Sequence, residues 1–458
     1  MFSRNRDLDM TSGPLFTNIL LFSLPIMAMN LLQLLFNAAD MIVVGRFAGS
    51  QALAAIGATG ALINLLVNVF LGLSVGTSVV VAQNHGANKP VDVSRSVHTS
   101  IAISIIAGIF VMITGLIFCE PLLKVMGTPQ DIIHLSILYM KIYFLGIPAG
   151  MVYNFSAAIL RAIGDSRRPM YYLTIAGIVN VVLNLFFVLV LKMSVDGVAW
   201  ATTISQYLAV TLIIICLYRS SGAIRFHPKQ MVINKDKLRD IIKIGVPAGL
   251  QSLLFSISNV FIQSSLNTFG STMVAGSSAS GNIEGFAATA SNAYYNAAIT
   301  FTGQNMGAKR PDRIDETAKV CTILIFSTWL ISGSGILLFG RQLLGLYTKD
   351  PQVIDLGMIR LRIMMATYFT CSIMNVYPGL LRGMGYSILP MLNTLIGACL
   401  LRIVWLVTVF KWYPTPLVLF MCYPVTWTIA GLAQVASFFY ARHQVRKNFM
   451  AEAGTDGV

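Results

Sequence analysis

Apolar runs of helix length, broken at near-regular intervals by charged or Pro/Gly-containing stretches, dominate the chain. A helix that crosses a bilayer needs about 20 mostly apolar residues. Runs of that kind lie near 15–44, 52–81, 96–119, 132–158, 169–191, 197–218, 240–266, 274–303, 318–339, 353–379, 388–410 and 416–440. They are far longer than the alternating segments of an outer-membrane barrel. The pattern therefore predicts an all-α integral membrane protein with twelve transmembrane helices. The eighth run is so rich in Gly, Ala, Ser and Asn that it is expected to face protein or water instead of lipid. The first thirteen residues lack the charged, apolar and small-residue regions of a signal peptide, so the first run is expected to be a retained helix.

Composition supports this reading and charge adds an orientation. Of 458 residues 56% are hydrophobic and 11% charged, against about 25% charged in an ordinary soluble domain, and the mean hydropathy is +0.73. The six cysteines (119, 216, 321, 371, 399 and 422) sit in apolar stretches without a CxxC pair, so neither a disulfide framework nor a metal site is expected. The net charge of +14 reflects topology. With a cytoplasmic N-terminus, most bases, from Arg4 and Arg6 to Arg442, Arg446 and Lys447, fall in inside segments. Only Arg46, Lys124, Lys192, Arg341, Lys349 and Lys411 fall outside. Both termini are expected in the cytoplasm, and no nucleic-acid partner is implied.

The sequence also repeats itself. Gln83-Asn84-His85-Gly86-Ala87 returns 221 positions later as Gln304-Asn305-Met306-Gly307-Ala308. At the same displacement Leu160-Arg161, Gly164, Ser166 and Pro169 match Leu381-Arg382, Gly385, Ser387 and Pro390, and Asn154 matches Asn375. Pro25 and Asn37 match Pro247 and Asn259 at 222. This is the trace of a duplicated six-helix unit. An even number of helices gives both copies one orientation, the parallel-repeat plan. The expected domains are a first lobe over 1–218, a charged cytoplasmic linker over 219–239, and a second lobe with a tail over 240–458. Two like-facing bundles suit alternating access.

Ionisable groups inside spans are costly, so they mark candidate sites. Asn30, Gln33, Asn37 and Asp40 recur at helical spacing beyond Pro25, which removes one backbone hydrogen bond and makes a natural hinge. Asp40 suits either exchange of a proton or Na⁺, or a solvated helix end paired with Arg46. Asn180 and Asn184 share a face of the fifth span, and Thr202 and Gln206 one of the sixth. Their oxygens are what a hard monovalent cation needs beside a carboxylate, although interhelical hydrogen bonding would use the same residues. In the second half, Glu284 and Arg402 lie at similar depth and are expected to form a buried ion pair; Glu284 as a second cation-binding acid is the alternative. No ATP-binding, hydrolase or metalloprotease motif occurs, so no enzyme and no cofactor are expected.

Taken together, Pro25 with Asn37-x-x-Asp40, the repeated Gln-Asn-x-Gly-Ala, Leu160-Arg161-Ala162-x-Gly164-Asp165 with its partner at 381–385, Asn180-x-x-x-Asn184 and Gly197-x-Ala199-x-Ala201-Thr202 resemble the multidrug and toxic compound extrusion (MATE) family. The resemblance runs through essentially the whole chain. It implies a V-shaped, two-lobed antiporter that exports amphipathic, often cationic compounds in exchange for H⁺ or Na⁺. The coupling ion would bind in the first lobe at Asp40, Asn37, Asn180, Asn184 and Thr202. A possible second-lobe site would include Glu284, Arg402 and Asn259, and Gln33, Asn154 and Gln206 would contact substrate. A monomer in a bacterial or archaeal plasma membrane follows. The alternative is a lipid-linked oligosaccharide flippase of the same superfamily. One departure stands out, because the fifth-helix position often held by Asp is Asn184.

Overall fold

The structure is a computed structural model that describes residues 9–455; Arg4, Arg6 and the rest of the first eight residues lie outside it. The described residues are helical almost throughout and contain no strand. The helices are α1 (Leu15–Ala48), α2 (Ser50–Gly86), α3 (Pro90–Val125), α4 (Ile133–Ala162), α5 (Arg167–Val190) and α6 (Val195–Arg219), then α7 (Lys235–Asn267), α8 (Ser271–Gly307), α9 (Pro311–Gly345), α10 (Pro351–Gly383), α11 (Ile388–Trp412) and α12 (Pro416–Ala451). The predicted all-α membrane fold is the one the chain adopts. Among the described residues α1, α3, α4, α5, α6, α7, α9, α11 and α12 are long and apolar enough to cross a membrane. In α8 and α10 Gly, Ser and polar residues dilute the apolar content, whereas α2 is as long and on average as apolar as α3.

The helices begin and end where local chemistry dictates. Proline opens α3, α9 and α10, where a missing N–H costs nothing. Gly49 and Gly270, at φ 92° and 88°, make the tight turns into α2 and α8 that a side chain would strain. Most helices overrun the apolar windows, since charged residues continue a helix beyond the lipid. Three segments were not foreseen. Val44–Ala48, Phe186–Val190 and Leu395–Leu400 are wide π-helical turns within α1, α5 and α11.

The chain divides into two compact units, one of residues 28–249 and one of residues 9–27 with the chain from Leu250 onward. Helices α1 and α7 therefore each begin in one unit and finish in the other, changing over close to Pro25 and Pro247. In the first unit Gly108 lets α3 lie on Pro148 of α4, and Gly115 accepts the Phe144 ring; a Cβ at either would sit 2.6 or 2.4 Å from the neighbour. In the second unit the eighth run behaves as its composition predicts. Its Gly276 and Ser280 meet Gly357 of α10 in backbone contact, with Ser280 Oγ donating to the Gly357 carbonyl at 2.7 Å. Close approach of small residues replaces the missing apolar contrast with lipid.

The repeated Gln-Asn-x-Gly-Ala turns receive the segments that precede α1 and α7. In the second unit Asn305 Nδ2 donates to the Met10 carbonyl (3.0 Å), Arg310 to Thr11 (2.6 Å) and Arg313 to Ser12 (3.0 Å). In the first unit Lys237 reaches Asp92 (3.2 Å) and Asn84 (3.4 Å), while the backbone N–H groups of Asn234 and His227 donate to Thr99 (3.0 Å) and His98 (3.1 Å).

Candidate functional site

In the first unit α1, α5 and α6 bring one acid and three polar side chains together. Asp40 accepts a hydrogen bond from Asn184 Nδ2. With its amide turned so that nitrogen faces the carboxylate, Asn180 donates to Asp40 Oδ1 (2.9 Å) and accepts from the Thr202 backbone N–H (3.2 Å). Asn180 is 6% and Asn184 0% exposed. The Asn184 side-chain oxygen is buried without a hydrogen-bond partner.

Packing explains the convergence. The Phe36 ring lies where a Gly177 side chain would be, with a Cβ there falling 1.9 Å from the ring. One turn beyond Phe36 on α1 comes Asp40, and one turn beyond Gly177 on α5 come Asn180 and then Asn184. The wide turns at Val44–Ala48 and Phe186–Val190 follow Asp40 and Asn184 directly. Such turns recur at functional sites.

The pairing of Asp40 with Arg46 is not formed. Arg46 is exposed, and among the described residues Asp40 makes no ion pair with it; its neighbours are neutral amides. Amide donors hold a carboxylate in place without neutralising it. Gln33 and Asn37 are exposed, outside the Asp40–Asn180–Asn184–Thr202 cluster. Asn154 donates to Gly150 of its own helix (2.8 Å). Gln206 lies over Gly146, where a side chain would come within 2.6 Å of its Oε1. Pro25 lies within the continuous helix α1.

The second unit departs from expectation. Glu284 does not pair with Arg402. Both of its carboxylate oxygens receive bonds from Arg360, Nε and Nη2 each at 2.9 Å, and Arg360 Nη1 also donates to Ser277 Oγ (2.7 Å). The reason is helical geometry. Ser277 and Glu284 are seven residues apart on one face of α8, and Gly281 between them leaves room for the guanidinium. Arg402 is 0% exposed and bonds Asn259 Oδ1 (2.9 Å) and Thr426 Oγ1 (3.4 Å) instead. Of the expected second-half residues, Arg402 and Asn259 meet and Glu284 stands apart. Among the described residues no group of three or more His, Cys, Asp or Glu is placed to hold a metal.

Comparison with known proteins agrees with this architecture. The MatE family profile matches the chain twice, over residues 25–186 and 247–408, and the two matches begin at Pro25 and Pro247. "Probable multidrug resistance protein YoeA" of Bacillus subtilis is 26% identical over 81% of each chain. "Multidrug export protein MepA" of Staphylococcus aureus is 24% identical over 81% of this chain and 82% of its own. A crystal structure of a MATE protein in the bent conformation superposes with a TM-score of 0.88 at 23% identity, covering 98% of this chain and 100% of the other. The two family matches, one in each half, establish that this multi-pass membrane chain belongs to the MatE family of multidrug transporters.

Proposed function

We propose that the chain is a secondary exporter that expels amphipathic, mainly cationic small molecules in exchange for inward H⁺ or Na⁺, with Asp40 as the coupling acid. The observation that carries this is a carboxylate held by Asn180 and Asn184 with no protein cation beside it. The unpartnered oxygen of Asn184 and the hydroxyl of Thr202 are further donors for an incoming cation. The names of relatives such as YoeA and MepA support multidrug cargo for this chain as well. Both termini face the cytoplasm in this reading, the protein works as a monomer, and no cofactor beyond the coupling ion takes part.

Coupling follows from charge. A bound cation neutralises Asp40 and weakens its hold on the amides of α5. Helix α1 is then free to change its bend at Pro25, where the Leu21 carbonyl lacks its N–H partner. Cargo leaves if its affinity differs between the two shapes of α1, since a ligand that binds both equally shifts nothing. Gln33 and Asn37, exposed on the same helix, are the cargo contacts that this bend moves.

The test is transport of a cationic dye in proteoliposomes under separately imposed proton and sodium gradients. The wild type responds to one gradient and thereby identifies the ion. Asp40→Asn is expected to lose gradient-driven transport while the protein remains folded. Retention of that transport by Asp40→Asn sinks the assignment.

A further inference from the structure

Arg402 is a fully buried, permanently charged guanidinium, and among the described residues no acid bonds it. Asn259 Oδ1 accepts from Nη1 at 2.9 Å and Thr426 Oγ1 from Nε at 3.4 Å. The Phe255 and Tyr423 rings lie 4.9 and 4.7 Å from its central carbon. Nη2 is buried with no partner. The acid expected to neutralise it, Glu284, gives both oxygens to Arg360. Glu284 thus compensates Arg360, while Arg402, like Arg382, which bonds Tyr295 and Gln251, is held by neutral groups, and of the two Arg402 is the more deeply buried. An arginine cannot escape the cost of burial by releasing a proton, so an anion has to supply what the protein does not.

The internal repeat sets this charge beside the counterpart of Asn180, although Arg402 itself corresponds to Val181 and Asp40 to Ile262. Asn259 corresponds to Asn37, Tyr423 to Thr202, and Leu401, next to Arg402, to Asn180. One duplicated scaffold therefore presents a carboxylate among amides in its first half and a guanidinium beside an amide in its second. The geometry points to a binding site for an anionic group, a carboxylate or phosphate of an amphipathic ligand, at Arg402 in the second unit.

The pieces suit that ligand. A planar oxyanion bonded to Nη2, and to Nε once Thr426 turns away, makes the two-pronged contact that guanidinium favours. The flanking rings match an aromatic or otherwise apolar body. Phe255, Asn259 and Tyr423, which touch Arg402, are each only partly buried, so the side chains that cover it themselves reach the surface. The wide turn Leu395–Leu400 leads directly into this position on α11. The inference goes beyond the cation-coupled reading and adds zwitterionic and anionic amphiphiles to the cargo or lipids that the protein can hold. It stands independently of Asp40.

The experiment uses the full chain in phosphatidylcholine nanodiscs in chloride-free buffer, with affinity read by calorimetry and the unfolding midpoint by tryptophan fluorescence. The probes are 1-naphthoate, the neutral 1-naphthalenemethanol, and replacement of part of the lipid by phosphatidylglycerol. Wild type is expected to be stabilised by naphthoate and not by the alcohol. If phosphatidylglycerol stabilises it instead and blocks naphthoate, the anion is a lipid phosphate at the same site. Arg402→Gln is expected to weaken binding at least tenfold. Asn259→Asp supplies a built-in counter-charge, so it is expected to raise the midpoint and also to abolish anion binding, a result that misfolding cannot mimic. Asp40→Asn keeps anion binding even if it loses coupling, which separates the two readings. Unchanged binding in both Arg402→Gln and Asn259→Asp, or no response of the wild type to either anion, overturns the proposal.

Discussion

Replacing Glu284 by glutamine is the sharpest test of the charge arrangement in the second unit. Arg360 and Glu284 are 17% and 13% exposed and bond through two parallel contacts of 2.9 Å. Glutamine keeps the shape but leaves Arg360 without an anion, beside an Arg402 that already lacks one. Removing one member of a buried pair costs about 3–5 kcal/mol, whereas removing both members is often close to neutral. Part of the loss is offset by Ser277 and by the Phe420 and Tyr423 rings, 5.8 and 5.9 Å from the Arg360 guanidinium, so the lower end of that range is expected. At about 2–4 °C per kcal/mol for a unit of this size, the unfolding midpoint in detergent should fall by roughly 10 °C. Glu284→Gln with Arg360→Met should recover most of it, and Glu284→Gln with Arg402→Met should not. The assay is a double-mutant cycle on thermal unfolding followed by tryptophan fluorescence. Strong coupling of Glu284 to Arg402 and none to Arg360 would refute the pairing and the account of Arg402 as uncompensated.

Two further outcomes are expected. Gly177→Leu drives a side chain into the Phe36 ring; overpacking of this kind costs about 1–3 kcal/mol. Because Phe36 lies one turn from Asp40, the variant should also shift the ion-concentration dependence of dye transport, and unaltered transport would separate that packing from the site. Asp9 accepts hydrogen bonds from Ser12 and Thr11, and the Ser12 bond above all holds its carboxyl below the ordinary 3.8. A depressed carboxyl lends stability that is full above the unfolded value and is lost as pH falls through the folded one. Hydrogen-exchange protection over residues 10–18, corrected for the intrinsic pH dependence of exchange, should therefore be lost only as pH falls below the ordinary carboxyl range, and Asp9→Asn should lack that protection at neutral pH.

The helices were legible because lipid demands long apolar runs, and the duplication because its turns reuse the same residues. Gathering Asp40, Asn180, Asn184 and Thr202 was legible in part, since helical spacing puts each pair on one face. Spacing did not reveal that Gln33 and Asn37 stay exposed, because exposure depends on the helix that covers each turn. The partner of Glu284 was misread for a related reason. Arg360, Arg362 and Arg402 all fall within apolar runs of the second half, and sequence distance does not say which helix stands opposite Glu284. A signal was nonetheless present, as Ser277, Gly281 and Glu284 form a polar face with a gap at its centre, the imprint of a large planar side chain. The wide turns left no pattern, because one extra residue in a helix changes neither composition nor periodicity.

The segments before α1 and α7 carry a consequence for the origin of the chain. Each belongs in sequence to one half and is held by the repeated turn of the other, residues 10–13 by Asn305, Arg310 and Arg313, and residues 227–237 by His98, Thr99, Asn84 and Asp92. A lone six-helix half has a turn without a segment and a segment without a turn. It can satisfy both only by trading arms with a second copy, as domain-swapped dimers do. Fusing two such halves keeps the exchange within one chain, with Asn84 and Asn305 of the repeated motif among the residues that hold the arms.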